Sequence, residues 1–136
     1  MIALGIDPGS AICGFAFVQA LNAQISPLHF GVITTSPKAP FPDRLLKIHS
    51  ELDSLINSFH PDVLGIEKLF FGRNSTTALP VAHARGVVLL AAAAHKTAYQ
   101  NCDQPIDARK YFKTTEYTQF TECFFGKLAI FIPYIL

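Results

Sequence analysis

The sequence predicts an α/β domain in which a three-stranded antiparallel meander is extended by a parallel strand, with helices packed on the sheet. Three observations predict it. The chain opens on three strand-like stretches separated by turns, an amphipathic helix then leads into another short apolar strand, and a long apolar helix follows.

Ile2 to Ile6 is a continuous apolar run stopped by Asp7-Pro8-Gly9-Ser10, the pattern of a buried central strand that ends in a tight turn. Cys13 to Gln19 is rich in aromatic and β-branched residues, and Leu28 to Thr34 alternates well enough to pair beside it, with Asn22-Ala23-Gln24 as the turn between them. Thr35 to Pro42 holds three prolines and reads as a loop. Leu45, Ile48, Leu52, Leu55, Ile56 and Phe59 then recur at helical spacing with charged residues between, so this helix lies with one face on the sheet. His60-Pro61-Asp62 ends it, because a residue before proline disfavours the helical region.

Val63 to Ile66 is a short apolar strand closing on Glu67. A strand-helix-strand crossover makes the new strand parallel to an existing one, and the first strand is the obvious neighbour. A second helix is predicted from Ser75, with Asn74 or Ser75 as cap, through Ala78, Val81, Ala82, Ala84 and the apolar block Val87 to Ala94. Pro80 falls near its first turn, where amides lack partners in any case. An apolar surface all round predicts burial on more than one side, by the sheet and by a second subunit. Beyond Lys96 the periodicity becomes poor.

At 136 residues the chain is one domain by length. Half of the residues (50%) are hydrophobic and 15% are charged, which excludes a disordered chain. The net charge of +1 neither supports nor excludes nucleic acid, because any phosphate binding must come from local clusters of Lys and Arg. Cys13, Cys102 and Cys123 are widely spaced with no CxxC or Cys/His pattern, so zinc and disulfide frameworks are not expected and a reduced, cytoplasmic setting fits. The N-terminus lacks a signal-peptide pattern, and no uncharged apolar run reaches the roughly 18 residues of a membrane span. His29, His49, His60, His83 and His95 form no pair at metal spacing.

Two carboxylates stand out by position: Asp7 after the first strand and Glu67 after the fourth. If those strands are parallel neighbours, both acids lie at the sheet edge where open α/β sheets place their ligand sites. Carboxylates a few ångströms apart repel, so such a pair is either a proton-sharing dyad or a divalent-metal site. The plain alternative is that Asp7 merely begins an Asp-Pro-Gly turn and Glu67 ends a strand in water; spacing alone leaves both open.

Leu4-Gly5-Ile6-Asp7-Pro8-Gly9-Ser10 with Gly14-Phe15, then Ile66-Glu67-Lys68-Leu69-Phe70-Phe71 with Asn74, then Ala84-Arg85-Gly86-Val87, in this order, resemble the RuvC family of Holliday junction resolvases from Met1 to about Ala94. The resemblance implies an RNase H-like fold and a homodimer that holds four-way junction DNA. It also implies paired nicks dependent on Mg²⁺, two ions per subunit with Mn²⁺ as a substitute, and a branch-migration helicase complex as partner. Carried over by position, Asp7 and Glu67 match two catalytic, metal-binding acids, and Phe70 matches an aromatic that stacks on a junction base. Lys68 and Arg73 flank the aromatic pair, as phosphate contacts or as solvated loop charges. Phe71 fits ordinary packing, and Arg85 on its apolar helix makes either a structural salt bridge or a DNA contact.

Residues 1–95 carry the resemblance, and residues 96–136 are expected to be a divergent segment of the same domain. The family completes its site with two further aspartates three positions apart on a C-terminal helix, preceded by glycine- and lysine-bearing segments. Neither is recognisable here: Asp103, Asp107, Glu116 and Glu122 stand outside that context, and no third ligand is assigned. Alternatives to an active resolvase are a catalytically incomplete junction-binding remnant, a YqgF-type ribonuclease of related fold, and a sugar-kinase or actin-like ATPase, which expects a longer, duplicated chain. Tyr111 to Leu136, aromatic and with an apolar finish, suits translation in a shifted frame. The other two frames of the coding DNA downstream of the His95 codon are then expected to encode an Asp-rich helix; their failure to do so would remove the frameshift hypothesis.

Overall fold

The computed structural model describes residues 1–21, 24–68 and 75–102. In chain order the elements are β1 (Ile2–Asp7), β2 (Ile12–Leu21), β3 (Gln24–Thr34), α1 (Phe41–Phe59), β4 (Val63–Glu67), α2 (Ser75–Ala94) and β5 (Ala98–Cys102). They form one five-stranded sheet in the order β3-β2-β1-β4-β5, with the two hairpin pairings antiparallel and the β1–β4 and β4–β5 pairings parallel. The meander, the crossover and the parallel neighbour are those the sequence predicts.

β1 is apolar on both faces because it lies at the centre of the sheet: Ala3, Leu4 and Ile6 are all buried. The pleat sorts the residues of the sheet. Leu4, Ile6, Cys13, Phe15, Phe17, Ile33, Leu64 and Ile66 share one core with Ile48, Leu52 and Ile56 of α1 and Ala84, Val88, Ala91 and Ala92 of α2. Ala3, Ala16 and Val18, with Val63 beside them, form a separate cluster on the opposite face. Both described helices therefore cover the same side of the sheet.

β3 is the outer strand, which is why Pro27, lacking an amide hydrogen, is tolerated there. The register slips between Phe17 and Val18, whose partners are His29 and Pro27, so Leu28 is the extra residue of a bulge. Phe59 at the end of α1 stacks on Phe17 at 4.5 Å and on His29 at 5.3 Å between ring centroids, fixing the helix end over the hairpin.

Several boundaries differ from the sequence reading for identifiable reasons. α1 begins at Phe41, inside the predicted loop, because Pro42 occupies the first turn, where a missing amide costs nothing. α2, by contrast, starts at Ser75 as predicted, and Pro80 is its sixth residue, just past the first turn, so a single internal bond of the helix is lost. β5 follows directly after the helix, in a stretch where alternation is weak. α2 buries Ala84, Val88, Ala91 and Ala92, while Leu79 and Leu90 are 63% and 61% exposed in the single chain. The turn at residues 22–23 lies outside the described residues, and no described helix is long and apolar enough to cross a membrane.

The start of the parallel pair is fastened by reciprocal bonds. The Ile2 amide donates to Asp62 Oδ2 at 2.7 Å, and the Asp62 amide donates to the Ile2 carbonyl oxygen at 2.8 Å. Asp62→Ala removes the side-chain bond and is expected to lower stability by about 1 kcal/mol, read as a shifted midpoint in urea denaturation; an unchanged midpoint would show that this fastening contributes nothing.

Candidate functional site at the ends of β1 and β4

The β1–β4 register pairs Ala3 with Val63, Leu4 with Leu64, Gly5 with Gly65 and Ile6 with Ile66. Asp7 and Glu67 each come one residue later, so the last residues of two adjacent parallel strands are both acids at the same sheet edge. Because Leu4, Ile6, Leu64 and Ile66 point into the core under the helices, pleat alternation places both acids on the other face. Both are half-buried. Gly5 and Gly65 precede them on that face, and Gly14 stands opposite Asp7 in β2. None of the three adds a side chain beside the carboxylates, and glycines inside strands mark places where another backbone or a ligand comes close.

The turn that carries Asp7 away from β1 is tightly held. A methyl group on Gly9 would collide with the Ile12 carbonyl oxygen, so the Asp7-Pro8-Gly9-Ser10 turn admits only glycine at its third position without opening. The Ser10 carbonyl oxygen accepts from Thr35 Oγ1 at 2.5 Å and from a terminal nitrogen of Arg44 at 2.8 Å, while Arg44 Nε donates to Thr35 Oγ1 at 2.9 Å. Thr35 is the buried polar residue at the centre of this arrangement, and its own amide donates to the Ala11 carbonyl oxygen at 2.9 Å. Arg44 also lies 5.6 Å from the centroid of the Phe41 ring.

The end of β4 is held from the second helix. Arg85 Nε donates to the carbonyl oxygen of Glu67 at 3.1 Å, and a terminal nitrogen of Arg85 donates to Asn101 Oδ1 on β5. Asn101 pairs with Ile66, so it lies on the helix side of the sheet, where Arg85 comes down from α2. Arg85 is thus engaged with a main-chain carbonyl and a side-chain amide, a structural role at the end of β4.

Cys13, buried beneath this edge, has its thiol pushed up to about 11 by burial, with the Gly9 backbone hydrogen bond acting against the rise and the Asp7 charge adding to it. It is a packed, protonated thiol at neutral pH rather than a nucleophile. Lys68 follows directly after Glu67 and is exposed. Phe70, Phe71, Arg73 and Asn74, and the later acids Asp103, Asp107, Glu116 and Glu122, lie outside the described residues. Among the described residues no group of three or more His, Cys, Asp or Glu side chains is placed to hold a metal ion.

A family model for crossover junction endodeoxyribonuclease RuvC matches residues 3–105. The chain belongs to the RuvC family. A RuvC of Alkaliphilus metalliredigens is 49% identical over 96 residues, covering 71% of this chain and 58% of its own length. A RuvC of Ruminiclostridium cellulolyticum is 50% identical over 93 residues, covering 68% and 56%. This chain therefore spans less than two thirds of the length of those relatives. Among solved structures, T. thermophilus RuvC in complex with a Holliday junction substrate superposes with a TM-score of 0.71 at 32% identity, over 75% of this chain and 64% of that one. A second Thermus thermophilus RuvC structure gives 0.70 at 30% identity, over 81% and 68%. The sheet is thus that of RuvC, an RNase H-like fold, and the match to the family runs beyond Ala94 to include β5.

Sequence reasoning brought out Asp7, Glu67 and Lys68 but passed over Arg44 and Thr35. Arg44 reads as one more charge on the solvent side of an amphipathic helix, and Thr35 as a loop residue; only the folded hairpin shows that both meet at the Ser10 carbonyl.

Proposed function

We propose that this chain is a structure-selective DNA endonuclease that resolves four-way junctions by divalent-metal-dependent hydrolysis of phosphodiesters, with Asp7 and Glu67 as catalytic metal ligands. The observation that carries the reading is the parallel register that ends β1 and β4 on two acids at one sheet edge. The donor set fits the ion: two half-buried carboxylates are hard oxygen donors, suited to Mg²⁺ with Mn²⁺ as substitute, and two ions per subunit are expected. When bound, such ions supply activation of water and charge stabilisation on the phosphate oxygens.

The chain's own residues position the substrate. Glycines 5, 14 and 65 leave the acid-bearing face low, so a phosphate backbone can come close to the carboxylates. Lys68, exposed next to Glu67, and Arg73 act as phosphate contacts, and Phe70 stacks on a base at the junction. A symmetric substrate calls for a symmetric enzyme, and the exposed Leu79 and Leu90 on α2 support a homodimer in which that helix is covered. A branch-migration helicase complex is the partner that family membership suggests, and a cytoplasmic site of action agrees with the buried free thiol of Cys13.

A second reading has its own observation: only two acids come together among the described residues. In that reading the chain binds junctions without turning them over. Cleavage of a labelled synthetic four-way junction in Mg²⁺, beside an Asp7→Asn control, separates the two. The nuclease reading expects symmetric nicks that the control lowers by on the order of 100-fold or more, since a metal ligand supports several kcal/mol of transition-state stabilisation. A folded chain that binds the junction and leaves it intact would overturn it and leave the binding-only reading.

A further inference from the structure

Each acid-bearing strand end is anchored by an arginine from a different helix. Arg44 of α1 reaches the turn that follows Asp7, and Arg85 of α2 reaches the main chain of Glu67 itself. Both arginines are half-buried, and each uses two nitrogens on two different partners: Thr35 and Ser10 for Arg44, Glu67 and Asn101 for Arg85. A guanidinium is a rigid planar fork, so donating along two directions fixes the orientation of what it holds, which a lysine ammonium does not do. The bonds go to main-chain carbonyls and neutral side chains, so they locate the backbone that carries the acids.

Two carboxylates on strand ends need such anchoring. Strand ends fray, and like charges brought together push their strand ends apart. The β1–β4 ladder stops at Ile6 and Ile66, one residue short of both acids. Beyond that point Glu67 is carried on the Arg85 hydrogen bond and the continued pairing of β4 with β5, where Glu67 faces Cys102. Asp7 is carried on its pairing with Gly14 and on the turn closed by Arg44 and Thr35.

We infer that Arg85 and Arg44 are positioning residues, which hold the strand ends bearing Glu67 and Asp7 at the spacing that a shared divalent cation requires. This inference rests on the proposed ligand role of the two acids and adds the groups that preorganise them. Groups that orient metal ligands from behind govern affinity strongly without touching the ion, and their loss typically weakens binding by about 10–100-fold.

The test is Mn²⁺ affinity of the folded full chain, followed by electron paramagnetic resonance of the free ion, with thermal melting recorded on every variant. Arg85→Gln is expected to weaken Mn²⁺ binding about tenfold or more, and Arg44→Gln to weaken it in the same direction. Asn101→Ala, which frees one side of Arg85 at an exposed position and leaves the arginine and Glu67 in place, is expected to give a smaller loss. Arg85→Lys keeps the charge but not the fork and is expected to restore little. Ile56→Val, a core change remote from the edge, serves as the stability control and is expected to lower the melting temperature without changing affinity. Asp7→Asn and Glu67→Gln separate the two levels of the argument. If they leave Mn²⁺ affinity unchanged, the ligand assignment itself is wrong. If they weaken it while the arginine and Asn101 variants bind Mn²⁺ as the unmodified chain does, or lose affinity only as much as Ile56→Val does, the ligands stand and the positioning role is overturned.

Discussion

Everything proposed for this chain depends on the register between β1 and β4. The reciprocal bonds between Ile2 and Asp62 fix where that parallel pair begins, and four residue pairs later the two strands finish level. Parallel pairing shifted by one residue would turn one acid to the opposite face, because side chains alternate along a strand. The apolar core enforces the same register independently, since Leu4, Ile6, Leu64 and Ile66 must all face α1 and α2 together. A packing requirement at one end of the strands thereby becomes a chemical arrangement at the other.

The two helices therefore have two tasks. Their apolar faces cover one side of the sheet, and one arginine on each reaches past that layer to the strand end carrying an acid. The division between the faces is economical in a physical sense: bulky residues fill the helix side, while Ala3, Gly5, Gly14, Ala16 and Gly65 keep the acid side low. The two acids lie half-buried at the sheet edge, and the described low-dielectric core under the helices stays free of charge.

Much of this was legible in the sequence because it rests on short-range signals. The apolar run before Asp7, the helical spacing from Leu45 to Phe59 and the proline after His60 are each set by neighbouring residues, and the meander and crossover follow from them. The acids could be placed at one edge once the crossover made β1 and β4 parallel. What escaped reading depends on contacts distant in sequence. Thr35 and Arg44 acquire meaning only when the Ser10 carbonyl arrives between them, and Arg85 joins Glu67 and Asn101, which lie 18 and 16 residues away. β5 was missed because Ala98-Tyr99-Gln100-Asn101-Cys102 has little alternation; its pairing with β4 supplies the order that its own residues do not. Pro42 misled for the opposite reason, since a proline that usually signals a loop is also a favoured first-turn residue.

The central claim is that Asp7 and Glu67 form one cation site. It is tested most directly by diffraction from crystals of the chain grown or soaked in Mn²⁺, using the anomalous signal of the ion. The expected result is a peak beside the carboxylates at the ends of β1 and β4 that is lost in Glu67→Gln crystals. Mn²⁺ bound elsewhere, with the two carboxylates directed apart and no density between them, would contradict it.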